Sequence, residues 1–168
     1  TILIGDFGGG TSDFTIMKIT TNEFRKEDVL AVEGCPLAGD ALDSVFMSSR
    51  LNLSFGAQTQ YRLPMSNNLL KMPMAVMDRL NKPSQIQKCA LKAEDQKAID
   101  RLFVLIEDQQ IFSFFEEIEK TKKNLSTKKT SSFQFSYPDL ETNEVFSSFE
   151  FENWSEKVKT EIISALDR

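Results

Sequence analysis

Apolar residues alternate with polar ones near both ends of the chain and recur every three or four residues between. Runs at 2–4, 14–19 and 29–33 are β-rich and predict a three-stranded meander over the first 34 residues, with a polar connection at 20–28. Gly34-Cys35-Pro36 ends the third strand in this reading. A helix follows to about residue 51, carrying Leu42, Val45, Phe46 and Ser49, with Asp40 as its N-cap and Asp43 in its first turn. Residues 52–72, with Gly56, Pro64 and Ser66-Asn67-Asn68, read as an irregular surface insertion. Pro73 opens a short helix to Leu80, and Ser84 caps a helical stretch around Ile86 and Cys89. From 93 to 125 Ile99, Leu102, Phe103, Ile106, Ile111, Phe114, Phe115, Ile118 and Leu125 predict one or two long amphipathic helices, their phenylalanines turned to the core. Residues 130–137 and 145–151 alternate as a β-hairpin, with Phe133, Phe135 and Tyr137 on one face and Val145, Phe149 and Phe151 on one face. The connection is Pro138 through Asn143. Asn153 with Glu156 starts a final helix bearing Trp154, Val158, Ile162 and Ala165.

Composition narrows the class. A chain of 168 residues, 40% hydrophobic and 27% charged, can bury a real core. No apolar run has the length of a membrane span and no signal-peptide pattern is present, so a cytoplasmic protein without membrane partners is expected. A net charge of −5 argues against a nucleic-acid partner. Cys35 and Cys89 have no metal spacing, and the absence of histidine removes His-activated nucleophiles and most catalytic zinc sites. The first residue is not methionine and the last lies in a helical pattern, so an excised piece of a longer protein is expected.

The candidate chemistry sits between the first two strands, in Asp6-Phe7-Gly8-Gly9-Gly10-Thr11-Ser12-Asp13. Three glycines without Cβ let backbone N–H groups turn toward an anion such as a phosphate. Asp6 and Asp13 flank that cradle, and two carboxylates beside phosphate oxygens suit Mg²⁺. Thr11 adds a hydroxyl for a phosphate or a water. No Gly-Lys-Ser/Thr follows and the turn leads into a strand, which excludes a P-loop and a dinucleotide fingerprint. Gly39, just before the first helical pattern, is a second place where N–H groups suit an anion.

This motif resembles the second phosphate motif of the actin/Hsp70/sugar-kinase ATPases, in its Hsp70 form. Leu37-Ala38-Gly39-Asp40-Ala41-Leu42-Asp43 resembles the Hsp70 element Leu-Gly-Gly-Glu/Asn-Asp-Phe-Asp, and Glu119-Lys120-Thr121-Lys122-Lys123-Asn124-Leu125-Ser126 resembles its adenosine-contacting helix, Glu-x-x-Lys-Arg-x-Leu-Ser. The three pieces lie in the family's order and cover most of the chain. The resemblance implies an α/β fold: a partial ribonuclease-H-like, actin-like ATPase subdomain over 1–51, with an inserted mixed helical and β-hairpin subdomain of Hsp70 lobe II over 52–168. It implies ATP or ADP and Mg²⁺ as cofactors. Asp6, Thr11 and Asp13 would be catalytic, Asp6 and Asp13 holding Mg²⁺ through water. Gly8, Gly9 and Gly10 would approach the β- and γ-phosphates, Thr11 the γ-phosphate, and Gly39 the sugar and phosphates. Glu119 and Lys122 would reach the ribose, and Ser126 the adenine edge. Lys123 stands where the family has an arginine that packs on adenine, and lacks its flat guanidinium; Ala38 replaces a glycine. With the long 52–92 segment these departures are similar to the YegD-like branch. The implied activity is chaperone-type ATP hydrolysis driving lobe closure on a client or co-chaperone, with the chain alone inactive. Two other functions stay open: a non-hydrolysing nucleotide sensor or assembly scaffold, and a structural interaction module whose glycine loop is only a turn.

Overall fold

A computed structural model describes residues 1–19, 25–57 and 95–167. The helices expected at 73–80 and around 86–90, Cys89, and most of the 52–92 segment lie outside the described residues. The chain is mixed α/β and divides into two compact units, Thr1–Leu42 with Ser155–Arg168, and Asp43–Trp154. The boundary expected at 51/52 falls inside the second.

In the first unit β1 (Ile2–Phe7), β2 (Ser12–Met17) and β3 (Val29–Cys35) form the antiparallel meander, in the order β1-β2-β3. The third strand runs through Gly34 to Cys35 rather than breaking there. Phe14 and Cys35 are buried with Ala165, against Leu37 and Ile162. Ile2, Leu3, Ile4 and Phe7 of β1 are exposed. The helix α1 (Gly39–Ser49) begins one residue before Asp40, which is therefore a first-turn acid and not the N-cap. Its charge still suits the positive end of the helix dipole.

The second unit holds the larger core. The predicted long helical stretch is two helices, α2 (Gln96–Glu107) and α3 (Ile111–Leu125). Asp95 caps the first by accepting from the Ala98 N–H at 3.0 Å, and Gln109 at φ 56° turns the chain between them. Residues expected to open a surface insertion instead form a 3-10 helix, Leu51–Phe55, with Leu51, Asn52 and Phe55 buried. Gly56, at φ 80°, closes it in the left-handed conformation that glycine adopts without cost. The apolar 51/55 spacing docks this turn on α2 and α3, where Phe55 meets Phe114 edge-on at 5.4 Å.

The hairpin pairs β4 (Thr130–Tyr137) with β5 (Leu140–Ser147) around a two-residue turn, Pro138-Asp139. Proline fixes the first turn position and Asp139, at φ 61°, takes the left-handed second one, as a type II turn requires. Phe133, Phe135 and Tyr137 do share the inner face. On the partner strand the parity is reversed from that expected: Leu140, Thr142 and Phe146 are inside, and Val145 is exposed. Phe149 and Phe151 are not strand residues, because α4 (Ser148–Ser164) already starts at Ser148. Its capping box is Ser147 and Glu150, not Asn153 and Glu156. The Glu150 carboxylate accepts from the Ser147 N–H at 2.9 Å, and the Ser147 hydroxyl accepts from the Glu150 N–H at 3.2 Å.

The Thr142 hydroxyl is buried on this inner face without a hydrogen-bond partner. A buried, unpaired hydroxyl costs about 1–3 kcal/mol. Thr142→Val is therefore expected to raise stability by about 1 kcal/mol after repacking losses, read as a higher denaturation midpoint.

Candidate functional site

The β1–β2 register sets Asp6 directly opposite Asp13, so both carboxylates leave the same face at the mouth of the glycine turn. Phe7 pairs with Ser12, and the Gly8 N–H donates to the Thr11 carbonyl at 2.9 Å, closing the turn. The Thr11 hydroxyl donates to Asp13 Oδ2 at 3.0 Å. The carboxylate's other oxygen lies where a Cβ on Gly34 would come within 3.0 Å of it. Gly34 is thus part of the site, since a side chain there would displace Asp13. A glycine inside a strand, marking close approach, was its signal in the sequence. Asp6, Thr11 and Asp13 are all exposed.

Three residues hold the turn from behind. The buried Ser12 hydroxyl donates to the Leu37 carbonyl at 2.7 Å, fixing the hairpin to the segment that enters α1. The first two N–H groups of α1 then bond to the loop: Gly39 N–H to the Gly8 carbonyl at 3.2 Å, and Asp40 N–H to the Gly9 carbonyl at 2.7 Å. The start of α1, expected as a second anion site, spends these two donors on the loop. The consequence for the loop is directional. In a trans peptide unit the C=O and N–H point opposite ways, and no cis bond occurs among the described residues. With the Gly8 and Gly9 carbonyls fixed toward α1, the N–H groups of Gly9 and Gly10 point away from it. Two successive N–H groups aimed away from the helix are open to an anion.

The second group of predicted residues lies on α3 in the other unit. Glu119 and Lys123 pair with each other at 2.8 Å across one exposed turn. The hydrogen bond and charge of Lys123 hold the Glu119 carboxyl below its ordinary value, so it is an ionised acceptor at neutral pH. Lys122 turns elsewhere: its ammonium is 2.6 Å from Asp43, both side chains largely buried. The Ser126 hydroxyl donates to the Lys123 carbonyl at 2.7 Å. The place of Asp43 in the chain implies only a helix-dipole role, because nothing in its spacing points to Lys122. The same unit carries an open cleft of about 520 Å³ at the hairpin turn, lined by Arg101, Tyr137 and Glu141 among others and by none of the predicted site residues. Burial, then the nearby Asp108, pushes the Tyr137 hydroxyl up from its ordinary value.

No protein-family model matches this chain, and no curated protein matches it. The chemistry of the site rests on the residues themselves. Among the described residues no cluster of three or more His, Cys, Asp or Glu is placed to hold a metal ion. The opposed pair Asp6 and Asp13 fits Mg²⁺ of the kind that keeps its waters and takes its remaining ligands from phosphate oxygens. No helix among the described residues is long and apolar enough to cross a membrane.

Proposed function

We propose that the chain is the nucleotide-binding part of an Hsp70-like ATPase of actin-like fold, and that its glycine turn receives the phosphates of Mg·ATP. The observation that carries this reading is the pair of outward N–H groups of Gly9 and Gly10 beside two opposed carboxylates. The N–H groups donate to phosphate oxygens and stabilise charge building on them. Asp6 and Asp13 would hold Mg²⁺ through water, and the ion when bound would neutralise charge on the phosphate chain. The Thr11 hydroxyl gives its proton to Asp13 and keeps lone pairs that can accept from the attacking water. On α3 Glu119 keeps free lone pairs beside Lys123, and Lys122 keeps two N–H donors beside Asp43, so both retain capacity for ribose hydroxyls. In the family resembled, nucleotide state drives lobe closure on a client or co-chaperone, and we carry that role to this protein in the cytoplasm.

Calorimetric titration of Mg·ATP into the intact protein tests the reading. Asp13→Ala removes one carboxylate and the anchor of Thr11 together, and is expected to weaken binding by at least about tenfold. Absence of binding to the wild type would retire the nucleotide reading. A sensor that binds ATP without turning it over is favoured by one observation, the engagement of Lys123 by Glu119 where the family has a stacking arginine. Tight binding with no phosphate release would establish that alternative.

A further inference from the structure

We propose that Asp40 is a positioning residue for the glycine turn, and that Gly9 is required by its fit against α1 rather than by the ligand. This rests on the phosphate reading above and names the device that shapes the site. The Asp40 N–H makes the shortest of the backbone bonds between helix and loop, 2.7 Å to the Gly9 carbonyl. The Asp40 carboxylate lies over the same residue: a Cβ built on Gly9 would come 3.1 Å from Oδ1 and 3.7 Å from Oδ2. Asp40 thus meets Gly9 twice, its N–H bonded to the carbonyl and its carboxylate filling the space a side chain on Gly9 would need.

The neighbouring glycines behave differently. A Cβ on Gly10 would meet nothing within 4 Å, and one on Gly8 would be 3.4 Å from the Thr11 carbonyl. None of the three has the left-handed φ that would itself demand glycine. Gly9 is therefore the member of the triplet whose missing side chain is used by the protein. The gap at Gly10 is open, so a side chain there stays clear of the described protein and meets the ligand instead.

The N–H directions follow from this hold. If a Cβ on Gly9 pushes the turn off Asp40, the Gly9 carbonyl loses its donor, and the Gly10 N–H on the same peptide unit loses its aim. The effect reaches the ligand without Asp40 touching it.

The test is rescue, measured by Mg·ATP titration into the intact protein, with thermal melting of each variant as a check on folding. Gly9→Ala is expected to weaken binding about tenfold or more, and Gly9→Ala combined with Asp40→Ala to return it to within about threefold of wild type. Gly10→Ala is expected to weaken binding while melting as the wild type does, and Asp40→Ala is not expected to repair it. If Asp40→Ala fails to rescue Gly9→Ala in a folded double variant, or Gly9→Ala binds normally, the inference is overturned while the phosphate reading survives. If the wild type binds no Mg·ATP, both fall.

Discussion

Replacing Phe114 by alanine is expected to cost about 3–5 kcal/mol, a large part of the 5–15 kcal/mol that holds a typical domain together. The ring is fully buried and meets three others edge-on or nearly so: Phe55 at 5.4 Å, Phe133 at 5.0 Å and Phe135 at 5.1 Å. These belong to the 3-10 turn and to β4, so one side chain of α3 ties a turn and a strand to the helix. Its removal loses the buried area and leaves a cavity, and neighbours held by the hairpin register cannot collapse into it freely. Each lost aromatic pair adds about 0.5–1.5 kcal/mol beyond area. Trp154, the single tryptophan, packs at 6.0 Å on Phe146 in the same core, so its fluorescence reports unfolding of this unit. The guanidinium midpoint is expected to fall by about 1 M. Phe112, two residues earlier on the helix and 58% exposed, is the control: Phe112→Ala is expected to stay within about 0.5 kcal/mol. Equal costs for the two would refute this packing.

The elements that were legible in the sequence are those whose periodicity is long or whose turn chemistry is explicit. The α2–α3 stripe of Ile and Phe stated its own buried face, and the glycine triplet between two apolar runs stated a hairpin. The illegible parts turn on single residues. Reading Pro138 through Asn143 as a long connection hid the register; the two-residue turn pairs Tyr137 with Leu140 and so forces even-numbered residues of β5 inward. Val145 and Phe149 look more core-like than Thr142, yet the register overrides hydropathy. The true start of α4 was written in Ser147 and Glu150, but Phe149 and Phe151 continued the apparent alternation past it. In the candidate site the motif announced Asp6, Asp13 and the glycines. It could not announce that α1 would donate two N–H groups to the back of the loop, because backbone donors carry no residue signature. Partner choice on α3 was equally hidden: Lys122 pairs with Asp43, 79 positions away in the chain.

Arg50 is the second residue whose loss should be felt strongly. Its guanidinium donates to the Val145 carbonyl at 2.9 Å, pairs with Glu150, lies 3.6 Å from Glu144, and stands over the rings of Phe146 at 5.2 Å and Trp154 at 5.5 Å. Arg50 follows α1, and its partners lie on β5 and the first turns of α4, so it fastens the corner where strand becomes helix. Arg50→Ala is expected to destabilise by about 2–3 kcal/mol, since charge-assisted bonds are worth about 1.5–3 kcal/mol and the Val145 carbonyl is left without this donor. Arg50→Lys keeps the charge but not the planar fork, and is expected to recover less than half. Acid should erase part of the difference. Hydrogen bonds from the Ser147 side chain and backbone, and then Arg50, hold the Glu150 carboxyl below its ordinary value of 4.5. A carboxyl lowered on folding stabilises at pH above its unfolded value, and that contribution disappears as pH falls through the folded one. Denaturation at pH 7 and pH 3 should therefore show the wild type losing stability faster than Arg50→Ala below about pH 4.5, by a modest amount because Glu150 is partly exposed to solvent. A gap that stays constant from pH 7 to pH 3 would mean that Arg50 acts through its aromatic contacts and the Val145 carbonyl, with the carboxylate adding nothing.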